Sequence, residues 1–278
     1  MIKISLLITT YNDPIRLEKT LTHYLTHRPQ PHEILICDDG SKADTKNLVD
    51  SFIRKSKTPM IHVYQEDHGW DVSGIRNLGA IQSSGDYLII TDGDCVPHPR
   101  FISDHLEAAE TGYFVFGSRA HVLKEHIGGF STRPDVRFQY IFGKKMANRR
   151  VAIRNPFEKP LIRDRSAFST IEPLASLCIG CNFAMWKRDL LAVNGFEENF
   201  RAWAPEDAEC AARMMNVGLK LKKYRQKCML YHLDHGDNST PSPEKYKYCE
   251  VSLLSGKIET DNGIKQHLDG LKDSAAGH

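Results

Sequence analysis

No run of apolar residues in this chain approaches the ~20 positions that a membrane-spanning helix needs. Contact with a bilayer is therefore expected to be peripheral. An excess of charge of one sign is missing too: 37 Lys and Arg face 35 Asp and Glu, for a formal net of +2. Such a balance does not announce a nucleic-acid binder, and no nucleic acid is expected among its partners. Cysteine is present, but as an odd seven scattered residues. Cys178 and Cys181 form a CxxC pair with no second pair at zinc-ribbon spacing, so a structural zinc site is not expected. No leader precedes the apolar run that begins at residue 2, and reduced thiols in the cytoplasm are the expectation. Internal repeats and low-complexity tracts are absent as well.

What is present fits one large α/β domain, with 278 residues that are 41 % hydrophobic and 26 % charged. Residues 2–9, 33–37, 61–65 and 87–91 are short apolar runs, the pattern of strands buried on both faces. Helical segments are predicted between them. The first opens at Asp13-Pro14, where Asp caps and Pro suits the first turn. Others span 44–56 and 74–83. A helix over 99–110 and a strand over 113–117 follow. This alternation predicts a doubly wound, mostly parallel sheet whose ligand-binding loops share one edge.

Periodicity is poor from Ser118 to about Glu172, the mark of a functional or mobile segment. Between Ser118 and Arg165, twelve Lys or Arg stand against four acids, a local excess of about +8 that leaves about −6 elsewhere. Such an insert is either a solvated loop or a contact for anionic groups, phosphates or a membrane surface. Regular structure resumes with a predicted strand over 175–179 and a short helix over 187–193. A stronger helix over 205–217, closed by Gly218, and a strand over 228–233 follow. The tail beyond Pro243 is helical in part.

Three acidic signals sit at the ends of these elements. Asp38-Asp39 closes the second run, Asp92-Gly93-Asp94 the fourth, and Glu206-Asp207 opens the late helix. Gly93 lets the backbone turn tightly beside a ligand. Asp92 and Asp94 can share Mg²⁺ or Mn²⁺ with phosphate oxygens, although Asp-Gly-Asp alone is often just a turn. Asp38 and Asp39 can hold the base and ribose of a nucleotide. Thr9, Thr10, Tyr11 and Asn12 are their neighbours at the end of the first run, and Tyr11 can stack on a base. Arg76, in GIRNLGA, can pair with phosphate or with a carboxylate.

The set TTYN (9–12), DDGS (38–41), RNLGA (76–80), GDYLIITDGD (85–94), GCNFAMWKRDLLAVNGF (180–196) and PEDAECAAR (205–213) resembles the inverting family 2 glycosyltransferases. The likeness covers roughly residues 2–235. The stretch GFEENFRAWAPEDAECAARM (195–214) also resembles the acceptor-side motif of β-1,4-galactosyltransferases and chondroitin-polymerase-like enzymes. Ala202 and Ala204 stand where that motif has glycines around Trp203.

The resemblance implies a GT-A type α/β fold. Its nucleotide-sugar-binding half would span 1–117, with the basic insert or lid over 118–172. An acceptor and base half over 173–240 and a helical tail over 241–278 would complete one domain. It implies donor contacts for Thr9, Thr10, Tyr11, Asn12, Asp38, Asp39, Arg76, Asn77, Asp92, Gly93 and Asn182. Asp94 and Asp92 would hold the metal with His232, from a Met-x-x-His segment, and His235 in reserve. Asp207 would be the catalytic base, Glu206 would position the acceptor hydroxyl, and Trp203 would offer a face to its sugar. The implied reaction moves a hexose or N-acetylhexosamine from a UDP-sugar to a glycan or lipid-linked acceptor, as in a lipopolysaccharide or capsule. The enzyme would be cytoplasmic, either free or peripheral at the inner face of the membrane. Two other readings stay open. A sugar-phosphate nucleotidyltransferase would carry a Gly-rich loop where this chain has TTYNDP, and a non-catalytic nucleotide-sugar-binding subunit would have no use for both Asp94 and Asp207.

Overall fold

The apolar runs at the start of the chain become the centre of a sheet. A computed structural model describes residues 2–200, 204–236 and 243–268. The first half contains β1 (Ile4–Thr10), α1 (Pro14–Thr26), β2 (Glu33–Asp38), α2 (Ala43–Lys55), β3 (Met60–Tyr64), α3 (Val72–Gln82), β4 (Tyr87–Asp92), β5 (Cys95–Pro97), α4 (Phe101–Ala108) and β6 (Tyr113–Phe116). The insert contributes β7 (Ser118–Val122), α5 (Pro134–Phe142), β8 (Met146–Ala147) and β9 (Leu161–Arg163). Then come α6 (Ile171–Ala175), β10 (Asn182–Trp186), α7 (Lys187–Ala192), α8 (Glu206–Asn216), β11 (Lys220–Lys223), β12 (Met229–Leu233) and α9 (Pro243–Leu254).

Eight strands form the large sheet in the order β3-β2-β1-β4-β10-β6-β11-β9. The first four are parallel, β10 runs antiparallel to both its neighbours, and β9 is antiparallel at the far edge. Alternation along each strand sends side chains to two helical layers. Leu6, Ile8, Ile34 and Ile89 pack with Leu17 and Leu21 of α1 and Phe101 of α4. Leu7, Leu35, Ile90 and Phe183 pack on the other face with Ile75 of α3 and Ala208, Ala211 and Met214 of α8. Among the described residues, no helix is long and apolar enough to cross a membrane.

Two expectations need correction. The strand predicted over 175–179 is absent: Ile171–Ala175 is the short helix α6, whose Ile171 and Leu174 sink into the core. The strand of this region is β10, which starts later and pairs antiparallel with β4 from Asn182↔Thr91 to Trp186↔Tyr87. The insert is also more ordered than its periodicity suggested. Its β7 and β8 join β5 and β12 in a second, four-stranded sheet. Phe130, Tyr140, Ile141, Met146 and Ala152 pack on Val96, Val122, Met229, Tyr231 and Leu233 in a separate apolar cluster.

Candidate active site

The acidic turn after β4 is held close to β1. The Gly93 N–H donates to the Thr9 carbonyl at 2.7 Å, and the Thr9 hydroxyl donates to Asp92 at 2.6 Å. A Cβ on Gly93 would lie 3.2 Å from both the Thr10 hydroxyl and the Thr9 carbonyl, a close approach that suits glycine. The chain then enters β5, which pairs antiparallel with β12 in a register that sets His232 opposite Cys95. That pairing brings residues 94 and 232 together. The Leu233 N–H donates to the Asp94 carbonyl at 2.9 Å. The Nε2 atoms of His232 and His235 lie 3.2 and 3.4 Å from the same Asp94 oxygen.

Asp94, His232 and His235 each offer a ligand atom, all within 4.8 Å of one another. Among the described residues this is the one such group of three. Burial works to raise the Asp94 pKa, but the hydrogen bond from His232 and the charges of both imidazoles outweigh it, and the net shift is downward. Burial likewise opposes protonation of His232, yet its bond to Asp94 raises it overall. One carboxylate and two imidazoles suit a divalent transition ion such as Mn²⁺, and the convergence of three such groups fits a cation.

Arg76 links this turn to the start of α8. Its side chain is 3 % exposed, with one guanidinium nitrogen 2.8 Å from Glu206 and the other 3.4 Å from Asp92. Arg76 thus bridges the turn after β4 and the first residue of α8. Gly180 makes room for it, since a Cβ there would sit 3.3 Å from the Arg76 guanidinium and 3.5 Å from Glu206. Burial pushes Glu206 up to about 7, against the pull of Arg76 and with the help of Asp207. Burial also raises Asp207, and Arg76 and the Ala208 N–H oppose it. Asp207 nevertheless stays partly exposed.

Asp38 and Asp39 close β2 beside β3. Asp38 accepts from the Ser41 N–H at 2.8 Å and contacts His62 at 2.9 Å. Asp39 accepts from Gln65 at 2.6 Å and from the Asp71 N–H at 2.9 Å. Burial raises its pKa despite those bonds. Gly40, at φ +84°, lets this turn pass against the Asp67 backbone, where a Cβ would come within 2.5 Å. Thr10 is buried next to Tyr11, which is 49 % exposed and donates to Asp67 at 3.2 Å. Its ring is free to stack.

Of the expected donor contacts, Asn12 is exposed, and two others are spent inside the protein. The Asn12 side chain accepts from the Lys42 N–H. Asn77 is fully buried, donating to the Phe196 carbonyl and Glu198 and accepting from the Phe196 N–H. Asn182, also fully buried, donates to the Ser118 and Cys228 carbonyls at 2.9 and 2.6 Å and contacts His105. Asn77 and Asn182 are thus clasps between segments and correct the expectation of donor contact. Trp203 lies outside the described residues.

Arg119, His62 and Gln65 also border these acids without standing in any of the sequence motifs. Arg119, on β7, reaches Cys181 at 3.6 Å, and the charge of Asp92 bears on it. Its position in a poorly periodic segment hid it. His62 and Gln65 stand on and just beyond β3, where the strand-end rule that found Asp38 could have found them.

Comparison with known proteins shows the family and the fold. The family described as glycosyl transferase family 2 matches residues 5–190. The family described as the N-terminal domain of galactosyltransferase matches residues 167–236. The chain is 24 % identical over 273 residues to a chondroitin synthase of Escherichia coli, covering 92 % of this chain but 38 % of that protein. It therefore spans well under half of that relative. Among solved structures, S. aureus TarS 1-349 in complex with UDP-GlcNAc superposes with a TM-score of 0.63 at 14 % identity, over 95 % of this chain and 69 % of that one. The mannosyltransferase PcManGT from Pyrobaculum calidifontis, in complex with GDP-Man and Mn²⁺, gives 0.57 at 16 % identity, over 100 % and 76 %. The fold is thus the GT-A type.

Proposed function

Because the chain belongs to glycosyl transferase family 2, we propose that it moves a hexose or N-acetylhexosamine from a UDP-sugar to a glycan or lipid-linked glycan acceptor, with inversion and with Asp207 as base. The observation that carries this reading is Arg76, which joins Asp92 to Glu206 across one buried centre. In this reading Asp92 serves the donor side and Glu206 the acceptor side.

In the proposed reaction the acceptor hydroxyl attacks the anomeric carbon while its proton passes to the Asp207 carboxylate. The new glycosidic bond forms as the bond to the diphosphate breaks on the opposite face. Proton transfer late in the displacement suits a carboxylate, and burial makes Asp207 a stronger base than a free Asp. Glu206, tied to Arg76, orients the hydroxyl. Asp38 and Asp39 take the base and ribose, with Tyr11 over the base and Thr9 holding Asp92. A Mn²⁺ or Mg²⁺ ion bound at Asp94, His232 and His235, with Asp92 beside them, would supply charge that offsets the leaving diphosphate. Support for UDP comes from TarS, whose structure contains UDP-GlcNAc.

A donor screen tests the proposal. The protein is mixed with UDP-Glc, UDP-Gal, UDP-GlcNAc or UDP-GalNAc, with Mn²⁺ or with a chelator, and released UDP is measured. One or two donors should yield UDP only with the metal. No UDP from any donor, together with pyrophosphate from UTP and a sugar phosphate, would select the nucleotidyltransferase reading instead.

A further inference from the structure

The insert presents a surface that the transfer reaction does not use. Its inner side is fixed by the apolar cluster that Tyr140, Ile141 and Met146 form with β12. Its outer side exposes Phe138 and Phe142, one turn apart on α5, with relative exposures of 47 and 71 %. Their rings stack at 6.1 Å. Next to Phe142 a shallow concavity of about 460 Å³ is lined by Ile141, Val151, Ile153, Arg149 and Arg150 among others. Ile153 is 47 % exposed. Lys144, Arg149 and Arg150 are exposed around these apolar groups. Among the described residues, no carboxylate forms an ion pair with Lys144, Lys145, Arg149 or Arg150.

We propose that this outer face binds an anionic lipid bilayer, with Phe138, Phe142 and Ile153 entering the interface and Lys144, Arg149 and Arg150 facing the headgroups. Exposed aromatic and aliphatic side chains ringed by unpaired cations are the arrangement of an interfacial anchor. Each basic side chain near an anionic leaflet strengthens binding by on the order of five-fold. A soluble phosphate would use the cations but leave the aromatics without a partner. A second copy of the chain would bring two faces of like charge together. Met229, Tyr231 and Leu233 support the patch from beneath, and His232 alternates with them on β12, so the surface lies one sheet layer from the metal-ligand cluster. The proposal goes beyond the transfer reaction and does not depend on it.

Co-sedimentation of the full chain with vesicles tests it. Binding is expected to phosphatidylglycerol-rich vesicles, to be weak on pure phosphatidylcholine, and to fall as salt is raised. Arg149→Glu/Arg150→Glu should weaken binding by about twenty-five-fold or more. Phe138→Ser/Phe142→Ser should weaken it while leaving the far-UV spectrum and Tm unchanged, since both rings are exposed. UDP release, measured separately, should be unaltered in both variants without vesicles, which keeps a failure of this proposal apart from a failure of the transfer reading. Equal binding to the two lipids, wild-type binding by both variants, or a dimer disrupted by Phe138→Ser/Phe142→Ser in the absence of lipid would overturn it.

Discussion

Arg76 is surrounded by acids whose charges hold it in its ionised state against the burial that opposes it. Among the described residues Asp207 has no direct ion pair, and one of its oxygens accepts the Ala208 N–H at 2.8 Å. Asp207→Asn should retain donor affinity and lose transfer by about 10²–10⁴-fold, the usual contribution of a placed base; single-turnover rates at wild-type level would remove Asp207 from that role. Glu206 makes a different prediction, on stability. Its folded pKa of about 7 lies above the ordinary 4.5, so folding takes up a proton between those values. Stability should therefore fall as pH rises through that window and level off above it. Glu206→Gln has no proton to take up, and its Tm should decline less between pH 5 and pH 8 than the wild type's. Parallel curves for the two proteins would contradict the shift.

Element by element, the four parallel strands were legible because strands buried on both faces must be apolar throughout, and their acidic ends followed from that. Strand β10 was not. It enters the sheet antiparallel, and its first residue is an asparagine whose amide donates to the Ser118 and Cys228 carbonyls. Hydrophobic patterning cannot flag such a position. Asn182→Ala should remove the amide donor from both buried carbonyls, of which that of Cys228 keeps the Ser118 N–H, and destabilise the protein by about 1–3 kcal/mol, read as a lower urea midpoint at unchanged m-value. A cost near zero would mean that the clasp is dispensable. Strand β11 was missed for a related reason. Its Lys222 and Lys223 look like surface residues in a sequence, but both are buried and reach the Ala108 and Gly117 carbonyls.

At the scale of the whole molecule, the insert is an integral wall. Its periodicity is weak because α5 hides only Tyr140 and Ile141 and leaves its phenylalanines outside. Replacing residues 128–157 by a short Gly/Ser linker would uncover Met229, Tyr231 and Leu233, which the cluster now seals. The product should melt lower by on the order of 5 °C or more and bind a hydrophobic dye. An unchanged melting point would make the segment a detachable flap after all. The register of β5 on β12 has one more outcome. Asp94 and His232 are 138 positions apart, and they become neighbours only when β12 docks. If the proposed ion binds there, a ribosome-bound chain lacking that strand would lack both imidazoles, so cation uptake would time-stamp the docking of β12. An ion added to the finished protein would lock that same step, by about 2.7 kcal/mol at a hundred times its dissociation constant.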